Sequence, residues 1–497
     1  MSWGEAKFVT DEVKKNLEPL EADLAHTKDR VEAIYGVVMP TALVKVQFDD
    51  VTITATDGVS VLESEPYGDS YRKITFPHYG TWTVNYTHGA VEEKTVIEAT
   101  EGRQYTCGFP KRYCYVIHKT DSNPATRVTY ALDAEGMTPA AMDFSSGVFR
   151  YGDWADLWFV KKNKPLMLKK DRTVDYYLNP NDYSLREDGQ ASDIANASYD
   201  GNAMAQFATV WQYQYEEGDY EYDILCQEQY DENYKAYAHT RADGSIAEYF
   251  YWSMFGGSTI SSVLRSLSGQ SVAQSQTTDT QLTQAKANGE GWYIHTWSQR
   301  RLIQSMLTLM CRSTDTQTAY GNGNCNSASS ASGLIGTGRL NNKGQFYGVT
   351  SNTEQVKVFH IEQFWGNQWD RTAGVLNNAS GLWVKMTPEG NGYQTTATTG
   401  YTQTGIVMSG TSGGYISSVV ASELGRLPKV VSGSTTTYEC DGAWFNNSQL
   451  DYLLCGASAY HAAAFGGAFT FSVDGAPSYA SWTFGCGLSC EQPVAAA

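Results

Sequence analysis

From about Tyr199 to the C terminus only one stretch carries a helical period. Leu302, Ile303, Met306, Leu307 and Met310 fall on one face of a helix over Ser298 to Met310, with Thr296 or Ser298 placed to cap its first turn. Everything around it is short, β-like and divided by glycine, as in Gly344-Gln345-Phe346-Tyr347-Gly348, Val356-Lys357-Val358-Phe359-His360 and Gly467-Ala468-Phe469-Thr470-Phe471-Ser472-Val473. Alternating strand and helix units are missing, so a layered α/β architecture is excluded and the chain must fold mainly as sheets. No repeat of constant period supports a propeller or β-helix. The run from Gln270 to Gln284, mostly Ser, Thr, Gln and Asp, reads as an exposed loop.

Nearer the N terminus the period changes twice. Val13, Leu17, Leu20, Leu24, Thr27, Val31 and Ile34 follow the seam of a short coiled coil. Pro19 is tolerated if the continuous helix starts near Asn16 to Glu18, and Gly36 ends it. Residues 1–36 are therefore expected to form a helical stalk or attachment segment, with a helix packed on its own chain as the alternative. Over 41–108 the pattern alternates with period two, as in Thr81-Trp82-Thr83-Val84-Asn85-Tyr86, and turn signals such as Asp57-Gly58 punctuate it. That predicts an immunoglobulin-like β-sandwich acting as a spacer. Residues 109–195 read as a β-rich connector with aromatic strands near Val148 to Tyr151 and Leu157 to Val160 and a polar turn at Asn179-Pro180-Asn181-Asp182. Residues 196–497 form the larger C-terminal domain.

Charge narrows the function classes. With 36 Lys+Arg against 54 Asp+Glu, the net charge of −18 opposes binding to the phosphate backbone of nucleic acid. No stretch approaches the ~20 apolar residues of a membrane span, and Met1-Ser2-Trp3-Gly4-Glu5 lacks the features of a secretion signal. A soluble product made in the cytoplasm without a signal peptide is expected. The nine cysteines include no C-x-x-C pair and read as reduced, mostly buried thiols. Cys486 and Cys490, on one strand, would stand ~13 Å apart, beyond disulfide reach.

Few motifs carry chemistry. Gly410-Thr411-Ser412-Gly413-Gly414 matches the nucleophile-elbow pattern, with Asp441 and His461 downstream, but the preceding βα units that present such a serine are lacking. Gly321-Asn322-Gly323-Asn324 lacks the third glycine and the following lysine of phosphate cradles. The scattered histidines offer no zinc motif, and Asn179 to Asp188 lacks the ligand order and terminal Glu of an EF-hand. No catalytic residue, metal or cofactor is assigned. A carboxylate pair of glycosidase type is a spatial fact that spacing does not show.

The C-terminal segment differs from the rest. Gly456 to Cys486 contains no Lys, Arg, Glu, Gln, Asn or Met, a single Trp (Trp482), and many Ala, Ser, Gly, Tyr and Phe. With Leu453-Leu454, Gly456, Gly466-Gly467-Ala468-Phe469, Trp482, Gly485 and Leu488-Ser489, it resembles the variable region of diversity-generating retroelement target proteins displayed on phage tails. Their pattern runs G-G-x-x-x-x-G, A-G-x-F and W-x-x-G-x-x-L-S. The resemblance extends from about residue 195 to the end through Gln317-Thr318-Ala319-Tyr320-Gly321-Asn322-Gly323, Phe364-Trp365-Gly366-Asn367, Trp369-Asp370-Arg371-Thr372-Ala373-Gly374 and Thr435-Thr436-Thr437-Tyr438. Adenine-directed variation in that family does not create Lys, Glu, Gln, Met or Trp, and the first four are absent here. Ala457 stands in place of the second glycine, and Ala462 in place of a further one, so the loop after Gly456 departs from the family shape.

The resemblance implies a C-type-lectin-like domain, a virion location, and a tail receptor-binding protein, or adhesin, without enzymatic activity. Such a protein recognises a host-surface protein or glycan and attaches to other tail or baseplate proteins through its N-terminal segment. The heptads and the family together imply a homotrimer, which the sequence does not separate from a dimer. The fold class expected is thus multidomain β-rich α+β: helical stalk, immunoglobulin-like sandwich, connector and C-type-lectin-like tip. A strand Ala468 to Asp474 would turn Phe469, Phe471 and Val473 inward and Thr470, Ser472 and Asp474 toward a ligand. Ser458, Tyr460, His461, Ala463, Phe465, Tyr479, Ser481 and Thr483 complete the expected receptor surface, while Trp482, Phe469 and Leu488 are assigned to the core. The rivals are a tail-borne glycan depolymerase or esterase and a purely structural virion protein. If residues 456–486 diversify, the genome holds a near-copy of their coding segment beside a reverse-transcriptase gene; sequencing the locus checks this, and an isolated gene counts against diversification.

Overall fold

A computed structural model describes residues 39–45, 51–67, 71–88, 91–100, 103–108, 110–390, 392–393 and 397–494. The chain divides into two compact units after Pro110. The stalk expected over 1–36 lies outside the described residues. Among those described, the helices are five short ones, the longest Trp297–Cys311. The expected plan of helical stalk, immunoglobulin-like sandwich, connector and C-type-lectin-like domain is corrected to a β-rich chain in two units. No helix of the described residues is long and apolar enough to cross a membrane.

The first unit is sandwich-like, with two four-stranded sheets. One runs Glu65–Tyr67, Tyr71–Thr75, Thr41–Lys45, Gln104–Gly108; the other runs Val61–Glu63, Thr52–Thr56, Gly80–His88, Val91–Ala99. Period-two alternation explains it: along Gly80–His88 the side chains of Trp82, Val84 and Tyr86 are buried and their neighbours are not. The Trp82 ring stacks on Phe76 at 5.2 Å, and its indole N–H donates to the His78 carbonyl at 3.2 Å.

In the second unit, residues 111–195 are structural core and not a separate connector. The strand Arg112–His118 pairs with Tyr220–Cys226, Lys164–Lys169 pairs with Gly201–Ala208, and Trp154, Trp158 and Phe159 share one apolar cluster with Leu302, Ile303 and Met306. These strands are covered on both faces. All eight residues of Gly201–Ala208 are buried, which erases the alternation that marks a strand in sequence.

Three sheets enclose the helix Trp297–Cys311. A four-stranded sheet runs Val128–Leu132, Arg112–His118, Tyr220–Cys226, Trp211–Glu217. A seven-stranded sheet contains Tyr249–Ser253 and Trp292–Ile294, with the C-terminal strand Leu488–Glu491 antiparallel between them. A ten-stranded sheet is centred on Trp369–Asn378, Asp451–Cys455, Phe471–Val473 and Gly442–Phe445. The helix was expected to be amphipathic, yet all fifteen of its residues are buried. Thr296 occupies the N-cap without a side-chain cap bond, and Arg312 ends the helix in a left-handed conformation, φ 51°.

Part of the helix's polar face is met by protein, while Gln299 Oε1, Arg300 Nε, Arg301 Nε and Thr308 Oγ1 are buried without a hydrogen-bond partner among the described residues. Arg301 donates to the Glu423 carbonyl at 2.7 Å and to Gln214 Oε1 at 3.1 Å, Gln304 to the Ala468 carbonyl at 2.7 Å, and Ser305 to Asp223 Oδ2 at 2.6 Å. The run at 270–284 also departs from expectation. Thr278–Lys286 is a helix whose Thr277 cap accepts from Thr280 N at 3.3 Å, and Gln281 on its inner face accepts from Arg371 at 2.6 Å. An inner face of Thr and Gln carries no apolar period, so the segment looks like loop. All nine cysteines are free thiols.

Arg426, on the strand Gly425–Val431, lies between two buried carboxylates, with Nε 2.8 Å from Glu221 Oε2 and Nη1 2.5 Å from Glu439 Oε1. The pair to Glu221 ties the four-stranded sheet to the ten-stranded one. Replacing the guanidinium alone leaves two acids without a counter-ion. Arg426→Met is expected to cost about 3–5 kcal/mol, read as a lowered denaturation midpoint at neutral pH.

Candidate functional site

The strand Asp451–Cys455 leads into a loop whose start is set by two left-handed residues, Gly456 at φ 85° and Ala457 at φ 61°. Ala457 pays a steric cost that the expected glycine would avoid, and it is completely buried. The loop is then pinned by backbone bonds. Ala459 N donates to the Asn367 carbonyl at 2.9 Å, Gly456 N to Thr470 O at 3.0 Å, Ala328 N to Ala459 O at 2.8 Å and Ser327 N to His461 O at 3.1 Å. The last two bonds set the serine-rich stretch 327–332 beside it.

Outward from this base runs a row of rings. Tyr460 meets His461 at 5.4 Å between centroids, His461 meets Trp444 at 5.0 Å, Trp444 meets Phe465 at 5.5 Å, and Phe465 stacks on Tyr415 at 4.7 Å. Trp369 supports the row from below, 5.1 Å from His461 and 5.5 Å from Trp444, within a small cluster with Cys325, Leu454 and Phe484. The Trp444 indole lies on Gly413, where a Cβ would come within 2.4 Å of the ring. Tyr460 is 60% exposed, and His461, Phe465, Trp444 and Tyr415 are each partly exposed.

The remaining residues of the expected receptor surface divide. Tyr479 is 56% exposed and Asp474 is exposed, while Ala463, Ser481 and Thr483 are half-buried. Tyr479 packs against Phe484 at 5.3 Å, apart from the row, although Trp369 joins the two regions by donating its backbone N–H to the Thr483 carbonyl at 2.8 Å. Ser458, Thr470 and Ser472 are corrected to the interior. Ser458 Oγ lies 3.2 Å from His461 Nδ1, Thr470 Oγ1 donates to Phe465 O at 2.8 Å, and Ser472 Oγ donates to Asp474 Oδ1 at 2.5 Å. Phe471–Val473 pairs with Asp451–Cys455 and Gly442–Phe445 in the ten-stranded sheet, and all three of its residues are buried, so both of its faces are covered. Phe469 and Leu488 are core as expected, whereas Trp482 is only half-buried. Trp444, Tyr415 and the 327–332 stretch were not expected at the surface; a Trp beside a glycine-rich turn was the available signal for the first.

The elbow motif does not form a nucleophile site. Ser409–Gly410 and Gly413–Ser422 are both strands, so Ser412 sits in a strand-to-strand turn, and Asp441 is buried, accepting from Phe469 N at 2.8 Å. A connected Ser-His-Asp set exists elsewhere. Ser253 Oγ lies 2.9 Å from His295 Nε2, and His295 Nδ1 lies 2.8 Å from Asp370 Oδ2, which Arg300 also binds at 3.2 Å. Leu488 N donates to Ser253 Oγ at 3.2 Å, and the His295 ring stacks on Trp252 at 3.6 Å. Gly487 lets the ring in, since a Cβ there would lie 2.2 Å from it. The adjoining cavity of about 10 Å³ admits at most one water and no acyl group. The set joins the strand Tyr249–Ser253, the residue after Trp292–Ile294 and the strand Trp369–Asn378. Among the described residues no group of three or more His, Cys, Asp or Glu is arranged to hold a metal ion. Compared with known proteins, the chain matches no family model and no curated protein.

Burial pushes the His461 imidazole down to about 4 from its ordinary 6.5. The unfolded chain therefore takes up this proton first, and stability falls as pH drops from about 6.5 toward 4. Replacing His461 with Phe removes that contribution, so the variant should lose roughly 2 kcal/mol less than the parent between about pH 7 and pH 4.5, measured by urea denaturation at both values.

Proposed function

We propose that the chain is a receptor-binding protein of a phage or prophage tail, carried on the virion, that recognises a host-surface protein or glycan through its C-terminal loops. The observation that carries this reading is the exposed ring row from Tyr460 to Tyr415 on a base held by buried backbone bonds. Tyr, Trp and His rings offer large contact area with few torsions to freeze, and adjacent serines supply adaptable hydrogen bonds. A rigid support lowers the ordering cost of each contact, and several copies on one particle raise avidity above the single-site affinity. Side chains that point outward from such a base can change without disturbing the sheets beneath.

A labelled full-length chain tested on a panel of bacterial isolates should adhere to a subset of them. Tyr460→Ala should lower that adhesion at least about tenfold with an unchanged thermal midpoint, because a truncated hot-spot ring typically costs 2 kcal/mol or more. Equal adhesion of parent and variant, or of a chain with residues 458–465 exchanged, would remove the basis for this reading. Release of soluble sugar from the cells would favour the depolymerase alternative.

A further inference from the structure

We propose that the second unit carries a binding site for a neutral mono- or disaccharide in the cleft between the strands Lys164–Lys169 and Val174–Asn179 and the loop at Gln345, sharing no residue with the ring row. The cleft measures about 340 Å³, inside the roughly 300–1,000 Å³ range of small-ligand sites. Tyr151, Tyr177, Pro165 and Leu178 give it apolar walls, and Asn163, Asn181, Gln345 and Glu187 place polar groups among them.

These walls are fixed before any ligand arrives. Tyr151 Oη donates to Gln345 Oε1 at 3.0 Å, Gln345 Nε2 donates to Asn163 Oδ1 at 2.8 Å and to Val160 O at 3.1 Å, and Asn163 Nδ2 donates to Gln206 O at 2.9 Å. Tyr177 Oη donates to Gln206 Oε1 at 3.2 Å. Both phenols thus spend their protons on the amide network, which leaves the rings held in place as platforms. At the rim, Asn181 is exposed, and its side-chain amide makes no hydrogen bond among the described residues.

Ligand class follows from charge and from this mixture of surfaces. The two lysines of the cleft are already matched, Lys161 to Asp156 at 2.9 Å and Lys164 to Glu187 at 3.5 Å, with Lys164 Nζ also 4.8 Å over the Tyr177 ring. Each of these cations faces a carboxylate, so the cleft carries no net positive excess from its lysines. A purely apolar ligand would cover the Asn181 amide without bonding it, at the cost of its desolvation. A pyranose supplies an apolar C–H face for the rings and hydroxyls that donate to and accept from that amide. The volume suits one or two such rings.

The test uses the full chain and saturation-transfer NMR with glucose, galactose, N-acetylglucosamine, cellobiose, lactose and chitobiose, and with inorganic phosphate as competitor. At least one neutral sugar should show transfer, with an affinity that Tyr177→Ala and Asn181→Ala each weaken about tenfold and phosphate leaves unchanged. Asn181 is exposed, so its variant should keep the parent thermal midpoint and remains informative if Tyr177→Ala misfolds. Tyr460→Ala should leave sugar binding intact, which separates this site from the receptor row. Absence of transfer from all six sugars, displacement by phosphate, or affinity that survives Asn181→Ala would overturn the proposal. Loss of transfer in Tyr460→Ala alone would overturn it too, by moving the sugar to the ring row.

Discussion

One carboxylate ties three distant elements of the second unit to each other. Asp370 lies on the strand Trp369–Asn378 of the ten-stranded sheet and takes both Arg300 of the sealed helix and His295, which follows the strand Trp292–Ile294 of the seven-stranded sheet. Through His295 it reaches Ser253 and the backbone of Leu488 on the C-terminal strand. A helix closed off from water keeps an arginine at lower cost when acceptors meet it, and Arg300 has two, Asp370 and the Phe364 carbonyl at 2.8 Å. Because these partners come from elements far apart in sequence, helix and sheets depend on one another.

That dependence explains why the outward loops can be irregular. Trp369, next to Asp370, is set by the same strand, and its ring carries His461 and Trp444 while its backbone holds Thr483. The surface row therefore rests on the residue adjoining the buried joint. Loop residues 458–465 contribute little regular structure of their own beyond the short turn Ala463–Phe465. Their positions come from bonds to Asn367, Ser327 and Ala328, not from local propensity.

How much was legible varied with burial. In the first unit each sheet has one covered face, so Trp82, Val84 and Tyr86 advertised their strand by simple alternation. Gly201–Ala208 and Lys164–Lys169 are covered on both faces and lost that signal, which made residues 109–195 look like a connector. The same alternation rule places Thr470 and Ser472 on a ligand face, and it fails because that face is covered as well, with both residues buried. The helix Thr278–Lys286 carries no apolar period because Thr278, Gln281 and Gln284 share its buried face with Ala285, and Gln281 bonds to Arg371.

By itself the sequence determined what is local: a β-rich chain, one well-marked helix, free thiols, and a C-terminal segment rich in Tyr, Ser, Ala, Gly and Phe. These follow from periodicity and residue chemistry within a few positions. Tertiary structure alone decided which polar residues are interior, that Ser253, His295 and Asp370 meet, and that Trp444 and Tyr415 join Tyr460 and His461 in one row. Each of those facts is a contact between segments tens to hundreds of residues apart, set by sheet order and strand register, and neither quantity is written in any short stretch of the chain.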